Sequence, residues 1–203
     1  QRYIPLFKND QNNNPLALKA EDILLPRFLC VCNGLSDSLN IIQKGNERVL
    51  RARLSDAEFF FKSDLSISSK DRCLELSKVS FSEGLGSLLD RVNRISWIVE
   101  ALLDEINLDG NSREFALKAS SLCKNDLVSQ MVGEFPELQG LMGCKYLLAE
   151  GHPKEVALAV LEHYLPRGYG DKLPESDAGG VVALAERLEL LLSIFSKGER
   201  PTG

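Results

Sequence analysis

Histidine is nearly missing from this 203-residue sequence, and cysteine is present in a pattern that serves no common site. The two histidines, His152 and His163, are not near a nucleophile in sequence, so no Ser–His or Cys–His arrangement is expected. The five cysteines (Cys30, Cys32, Cys73, Cys123, Cys144) are odd in number and contain no C-x-x-C pair. That spacing suggests neither a zinc ribbon nor a disulfide framework, and free thiols in a reducing compartment are expected. Cys30 and Cys32 would share one face of a strand, but no metal is expected there. No apolar run reaches the ~18 residues of a membrane-spanning helix. No glycine-rich phosphate loop follows a strand. The opening QRYIPLFKND lacks the basic, apolar and small-residue order of a signal peptide. It also lacks methionine, and the closing GERPTG reads as a loop, so a piece of a longer polypeptide is expected.

What remains is an ordinary globular composition, with 44% hydrophobic and 26% charged residues and room for one or two domains. The net charge of −5 is unevenly placed: residues 134–199 hold eleven acidic and six basic side chains, and the rest is near neutral. A self-sufficient nucleic-acid binder would be strongly basic, although a local basic contact stays open.

Two patterns follow each other along the chain. RYIPLF alternates, KNDQNNNP is an asparagine-rich turn, and DILLPRFLCVCNG is a second β-like run ended by Asn33-Gly34, together a hairpin with a long mobile loop. A lone hairpin is marginal in water, so it should pack on helices or complete a larger sheet. From Leu39 onward the period is helical. Leu50, Leu54, Ala57 and Phe61 form one stripe, and Leu88, Val92, Ile95, Val99 and Leu102 form another. Ser112 is the expected N-cap of the next helix, and Pro153 suits the first turn of a later one. The fold expected is mainly α: a helical bundle behind a small β-hairpin element, divided as residues 1–38 and 39–203.

DLVSQMVGEFPELQGLMG, residues 126–143, has helical spacing but carries Pro136 and three glycines. Proline disfavours a helical residue before it and suits a helix start, so two helices are expected, ending near Glu134 and beginning at Pro136. Gly140 and Gly143 then share a face of the second helix and allow close backbone approach. These three residues are read as structural, and no catalytic residue is assigned.

Three polar features remain. His163 shares an apolar face with Val156 and Val160, as a core histidine would, whereas His152 should lie exposed at a helix start. The last helix is apolar nearly all round, with Val181, Leu184, Leu188, Leu191 and Phe195 as one stripe. Glu186, flanked by Val182 and Leu190, should be a partly buried carboxylate in an ion pair. Lys44, Arg48 and Arg51 align at i, i+4 and i+7, a row able to follow a phosphate backbone, although Glu47 can pair with Arg51 and Glu58 lies near the same face.

The strings GNERVLRARLSDAEFFFKSDL (45–65), DLVSQMVGEFPELQGLMG (126–143), EHYLPRGYGDKLPES (162–176) and SIFSKGERPTG (193–203) resemble the β-subunit of bacterial-type glycyl-tRNA synthetases. The match runs through nearly the whole chain, and the asparagine-rich insertion departs from the family's short turn. The resemblance implies a part of a glycine–tRNA ligase whose class II catalytic centre lies in the α-subunit or in a fused α part, where ATP and magnesium act. This piece would need no cofactor. Its implied partners are tRNA(Gly), the α-subunit or fused catalytic domain, and the other β-subunit domains, with no membrane. Lys44, Arg48, Arg51 and Arg53 become the candidates for tRNA contact. Residues 1–38 would end the β-subunit body, and 39–203 would be similar to the helical His-Asp (HD) phosphohydrolase domains. HD enzymes hold metal with a His, a His-Asp doublet and a later Asp. Here no doublet exists: Asp126 follows Asn125, and the late position is Ala185-Glu186. No metal is therefore assigned, and Asp126, His152, His163 and Glu186 are vestigial candidates only. The alternatives are a metal-dependent phosphohydrolase and a structural helical spacer. Interrupted family motifs and a Ser/Asn-rich character suggest a plastid enzyme, of chloroplast and also mitochondrial address, with bacterial cytoplasm as the alternative.

Overall fold

The computed structural model describes residues 3–8, 24–33 and 35–199. Residues 9–23 with the asparagine-rich turn, Gly34 and the closing RPTG, for which the sequence suggests a mobile loop and a tail, lie outside the described residues. Two compact units are present, Gln1–Lys62 and Ser63–Gly203.

In the first unit, β1 (Tyr3–Phe7) and β2 (Leu24–Cys30) pair antiparallel, with Tyr3 opposite Cys30 and Pro5 opposite Phe28. Each strand carries a proline, which a two-stranded ribbon tolerates because one edge of each strand needs no partner. Tyr3 meets Phe28 edge-on at 5.3 Å, and its hydroxyl donates to Asn46 Oδ1 at 3.1 Å. Asn46 belongs to α1 (Leu39–Asp64), so the hairpin is fastened to that helix. At 26 residues α1 is about 39 Å long, from 1.5 Å of rise per residue. The expected stripe on it is only partly covered: Leu50, Ala57 and Phe61 are half-buried and Leu54 is 63% exposed, while Ile41, Val49 and Phe59 off the stripe are exposed. The period is right, but among the described residues of its unit the only other α or β element is a two-stranded ribbon, which is too narrow to cover a whole face of the helix.

The second unit is a helical bundle. Its helices are α2 (Ser69–Glu75), α3 (Leu88–Glu105), α4 (Gly110–Leu122), α5 (Gln130–Glu134), α6 (Leu141–Ala149), α7 (Lys154–Glu162) and α8 (Asp177–Ser196). A minimal hairpin, β3 (Ser80–Ser82) with β4 (Gly86–Ser87), leads into α3. Helices α3, α4, α7 and α8 pack on one another, with α6 against α7. Val92, Ile95 and Val99, Ala116 and Ala119, Val156 and Val160, and Val182 and Ala185 meet in the core. Small residues on α4 and α8 let those backbones approach closely. Among the described residues no helix is long and apolar enough to cross a membrane.

Side-chain caps set the boundaries. Ser87 and Asp90 form a capping box on α3, and Ser176 caps α8. Asp109, not Ser112, caps α4: its carboxylate accepts the Ser112 N–H at 2.6 Å, which puts Ser112 inside the first turn. The end of α8 also departs from expectation. Leu184, Leu191 and Phe195 of the expected stripe are exposed, while Glu189 and Ser193 are buried. Ion pairing decides this: Glu189 takes Arg91 Nε at 2.7 Å and Arg94 Nε at 2.9 Å, and also accepts from Ser193 Oγ.

The 126–143 stretch divides at Phe135 as its proline demands, but the second helix starts later than expected. Pro136 opens a 3₁₀ turn, Pro136–Leu138, and α6 begins only at Leu141. Gly140 lies before the helix with φ +82°, so it does not share a helical face with Gly143. A Cβ at Gly140 would lie 2.6 Å from Tyr164 Cδ2, and one at Gly143 would crowd Asn125, Val160 and Asp126 at 3.1–3.3 Å.

Candidate functional site

The densest polar cluster gathers where α4 ends. Cys123 closes the helix, and Lys124 turns the chain with φ +62°, a left-handed conformation rare for a side chain with a Cβ. Its side chain is 2% exposed. The ammonium lies 3.2 Å from Glu186 Oε1, 3.4 Å from His163 Nε2 and 4.4 Å from the centre of the Tyr164 ring. His163 Nδ1 lies 2.5 Å from the Val160 carbonyl, which requires Nδ1 to donate and leaves the Nε2 lone pair for Lys124. Burial, reinforced by the Lys124 charge, pushes His163 well below the ordinary histidine range. Arg91 supplies Glu186 with a second cation at 2.8 Å.

Asp126 is fully buried two residues beyond Lys124. Its Oδ2 accepts the N–H groups of Gly140 at 2.6 Å and Gly143 at 2.9 Å, so it anchors the start of α6. Burial raises its carboxyl above the usual range, against the pull of those two amides. Its Oδ1 and the Asn125 Oδ1 have no hydrogen-bond partner among the described residues. His152 is elsewhere. It is half-buried rather than exposed, with Nε2 3.6 Å from Glu150 Oε2, because Glu150 is held beside it by Ser69 and Arg72.

The four vestigial candidates therefore do not converge. Lys124 joins His163 to Glu186, Asp126 serves two glycine amides, and His152 pairs with Glu150. Among the described residues no group of three or more His, Cys, Asp or Glu side chains could hold a metal ion. The donors present do not fit a divalent cation, since an ammonium already stands between the histidine and the carboxylate. Among the described residues, a metal-dependent phosphohydrolase therefore finds no ligand set to work with. Lys124, which organises the cluster, is invisible to periodicity because its backbone leaves the helical region. The nearby thiols offer no chemistry either: burial pushes Cys73 up to about 12 and Cys123 and Cys144 up to about 11.

The basic row on α1 is a surface feature. Lys44, Arg48, Arg51 and Arg53 are all exposed. The expected Glu47–Arg51 pair does not form, because Glu47 accepts from Gln43 Nε2 at 2.8 Å instead. Glu58 is engaged by Lys62 at 2.5 Å. Among the described residues no carboxylate pairs with any of the four cations. Lys44, Arg48 and Arg51 follow one face, while Arg53 projects about 180° from Lys44 by helical geometry.

The whole chain, residues 1–203, matches the family model described as glycyl-tRNA synthetase beta subunit. It is similar to the glycine–tRNA ligase beta subunit of Gloeothece citriformis, 46% identical over 203 residues, which is all of this chain and 28% of that protein. The corresponding subunit of Acaryochloris marina is 47% identical over 180 residues, covering 89% of this chain and 25% of the relative. That of Listeria welshimeri is 39% identical over 203 residues, again all of this chain and 28% of the relative. The chain thus spans little more than a quarter of the curated relatives it matches.

Proposed function

Because the chain belongs to the glycyl-tRNA synthetase beta subunit family, we propose that it serves as a non-catalytic segment of a glycine–tRNA ligase. Its work is to support tRNA(Gly) recognition and the assembly of the enzyme, with ATP and magnesium used by the catalytic α part. The α-subunit or fused catalytic domain and the remaining β-subunit domains are its protein partners. Residues 39–203 are read as one HD-like helical domain that lacks the metal chemistry, and residues 1–38 as the end of the β-subunit body. The Gloeothece and Acaryochloris relatives are cyanobacterial, which suits a plastid address; a bacterial cytoplasmic enzyme is the alternative.

One observation carries the tRNA reading. Lys44, Arg48, Arg51 and Arg53 stand exposed on a long helix with no carboxylate partner among the described residues. Lys44, Arg48 and Arg51, unpaired in a row on one face, are suited to follow a phosphate backbone, and Arg53 on the opposite face would make a separate contact. The double reversal Lys44→Glu and Arg48→Glu, made in the full-length enzyme, should weaken tRNA(Gly) binding. It should also lower the slope of log affinity against log salt by ~1.4–1.8, from two lost contacts at ~0.7–0.9 each. An unchanged affinity and slope would remove these residues from the tRNA surface.

A further inference from the structure

The loop between α7 and α8 presents an aromatic ring that does nothing for the fold. Tyr169 is fully exposed, at 111% of its reference area. It stands between Gly168 and Gly170, and a Cβ at either position would meet nothing within 4 Å, so the space around the ring is open. The loop beneath it is nonetheless fixed. Asp171 Oδ2 accepts the Arg167 N–H at 2.9 Å, its Oδ1 accepts the Lys172 N–H at 2.8 Å, and the Asp171 N–H donates to the Gly168 carbonyl at 3.2 Å. At the base, the Arg187 guanidinium donates to the carbonyls of Pro166 at 2.8 Å, Tyr164 at 3.3 Å and His163 at 3.4 Å. Beside this platform lies a cavity of about 350 Å³ lined by Pro136, Glu137, Gln139, Tyr164, Pro166 and Arg167. Arg167 joins the two features by donating from Nη2 to the Gln139 carbonyl at 3.3 Å.

We propose that this loop is a nucleobase platform: an unpaired base of the bound RNA stacks on the Tyr169 ring, with the Gln139, Glu137 and Arg167 cavity beside it to receive a base edge. The proposal rests on the tRNA reading above and adds a second contact of different physics. The loop backbone is fixed and the ring unburied, so a base can stack on it without any rearrangement of the fold, which favours capture of unstacked nucleotides. The local charge explains why stacking, and not phosphate binding, is its role. Arg167 and Lys172 are cationic, but Asp171 lies beside both and Glu137 lines the same cavity as Arg167, so the loop is no phosphate clamp. Glu137 and Gln139 offer the acceptors, and Gln139 and Arg167 the donors, that base edges require.

The two contacts separate by salt dependence. In the full-length enzyme with a tRNA(Gly) transcript, Tyr169→Ala should weaken binding about tenfold at every salt concentration and leave the salt slope unchanged. Tyr169→Phe, which keeps the stacking face, should bind as the unaltered enzyme does. Both variants should unfold at the same temperature as the parent, since the ring is not packed. If Tyr169→Ala binds normally while the Lys44/Arg48 reversal weakens binding, the platform is overturned and the tRNA reading stands. Should neither set of variants alter affinity, both are overturned. A Tyr169→Ala enzyme that loses its catalytic partner in sedimentation, yet binds tRNA normally when assembled, would make the loop a protein contact and overturn the platform.

Discussion

Lys124 combines a strained backbone with a buried charge, and each part has a separable cost. Replacing it with alanine leaves Glu186 its Arg91 partner but strands the His163 Nε2 lone pair, and a loss of ~2 kcal/mol is expected. Lys124→Gly loses the same contacts but relieves the left-handed strain, so it should be less damaging than alanine by about 1 kcal/mol. Urea unfolding of the pair of variants measures the difference. His163 makes a pH prediction. Its folded-state protonation is depressed, so the unfolded chain takes up the proton first as pH falls below the ordinary 6.5. Its contribution is therefore full above about pH 6.5 and declines below it, by up to ~1.4 kcal/mol per pH unit. Burial, and then the charges of Lys124, Arg91 and Arg187, hold it neutral, with the Tyr164 ring packed against it. Unfolding at pH 5.5 and 7.5 should show a flatter acid limb for His163→Gln. In the sequence, His163 was legible as a core residue from Val156 and Val160. The lysine that takes up its Nε2 lone pair was not, because nothing in a residue pattern foretells a positive φ there.

At the scale of elements, helix spacing was readable and helix burial was not. The Leu50–Leu54–Ala57–Phe61 period correctly marks α1 as helical, yet Leu54 is 63% exposed and the other three are only half-buried, with Phe59 off the stripe exposed too. Periodicity says which residues share a face; what covers that face depends on neighbours tens of residues away. Leu54→Ala and Phe59→Ala should accordingly shift unfolding by less than ~0.5 kcal/mol, whereas Ile95→Ala in the buried α3 face should cost ~2–5 kcal/mol. Denaturant titration distinguishes them. The start of α6 teaches the same lesson on a smaller scale. Proline marked the break, but Asp126, fourteen residues upstream of Gly140, decides where the helix resumes. Gly140→Ala should destabilise by ~2–4 kcal/mol, from the left-handed conformation and the Tyr164 clash together.

Across the whole molecule, the helical class, the small hairpin and the family were all present in ordered strings of sequence. What could not be read was the working surface. Tyr169 lies inside a string that identifies the family, but a string carries no statement of exposure, and that emerges only once Arg187 and Asp171 have shaped the loop. The acidic excess in residues 134–199 is likewise resolved only in three dimensions, where Glu186 and Glu189 spend their charge on Arg91, Arg94 and Lys124.

The distribution of thiols turns the chain into its own reporter. Cys32 is exposed and Cys30 partly so, whereas Cys73, Cys123 and Cys144 are buried in the second unit, Cys73 and Cys144 within helices and Cys123 at the end of α4. A maleimide dye at neutral pH should attach at Cys32, more slowly at Cys30, and reach the other three only when the bundle opens. Mass spectrometry of a labelling time course would then read hairpin accessibility and bundle opening as separate clocks in one tube, without a single engineered cysteine.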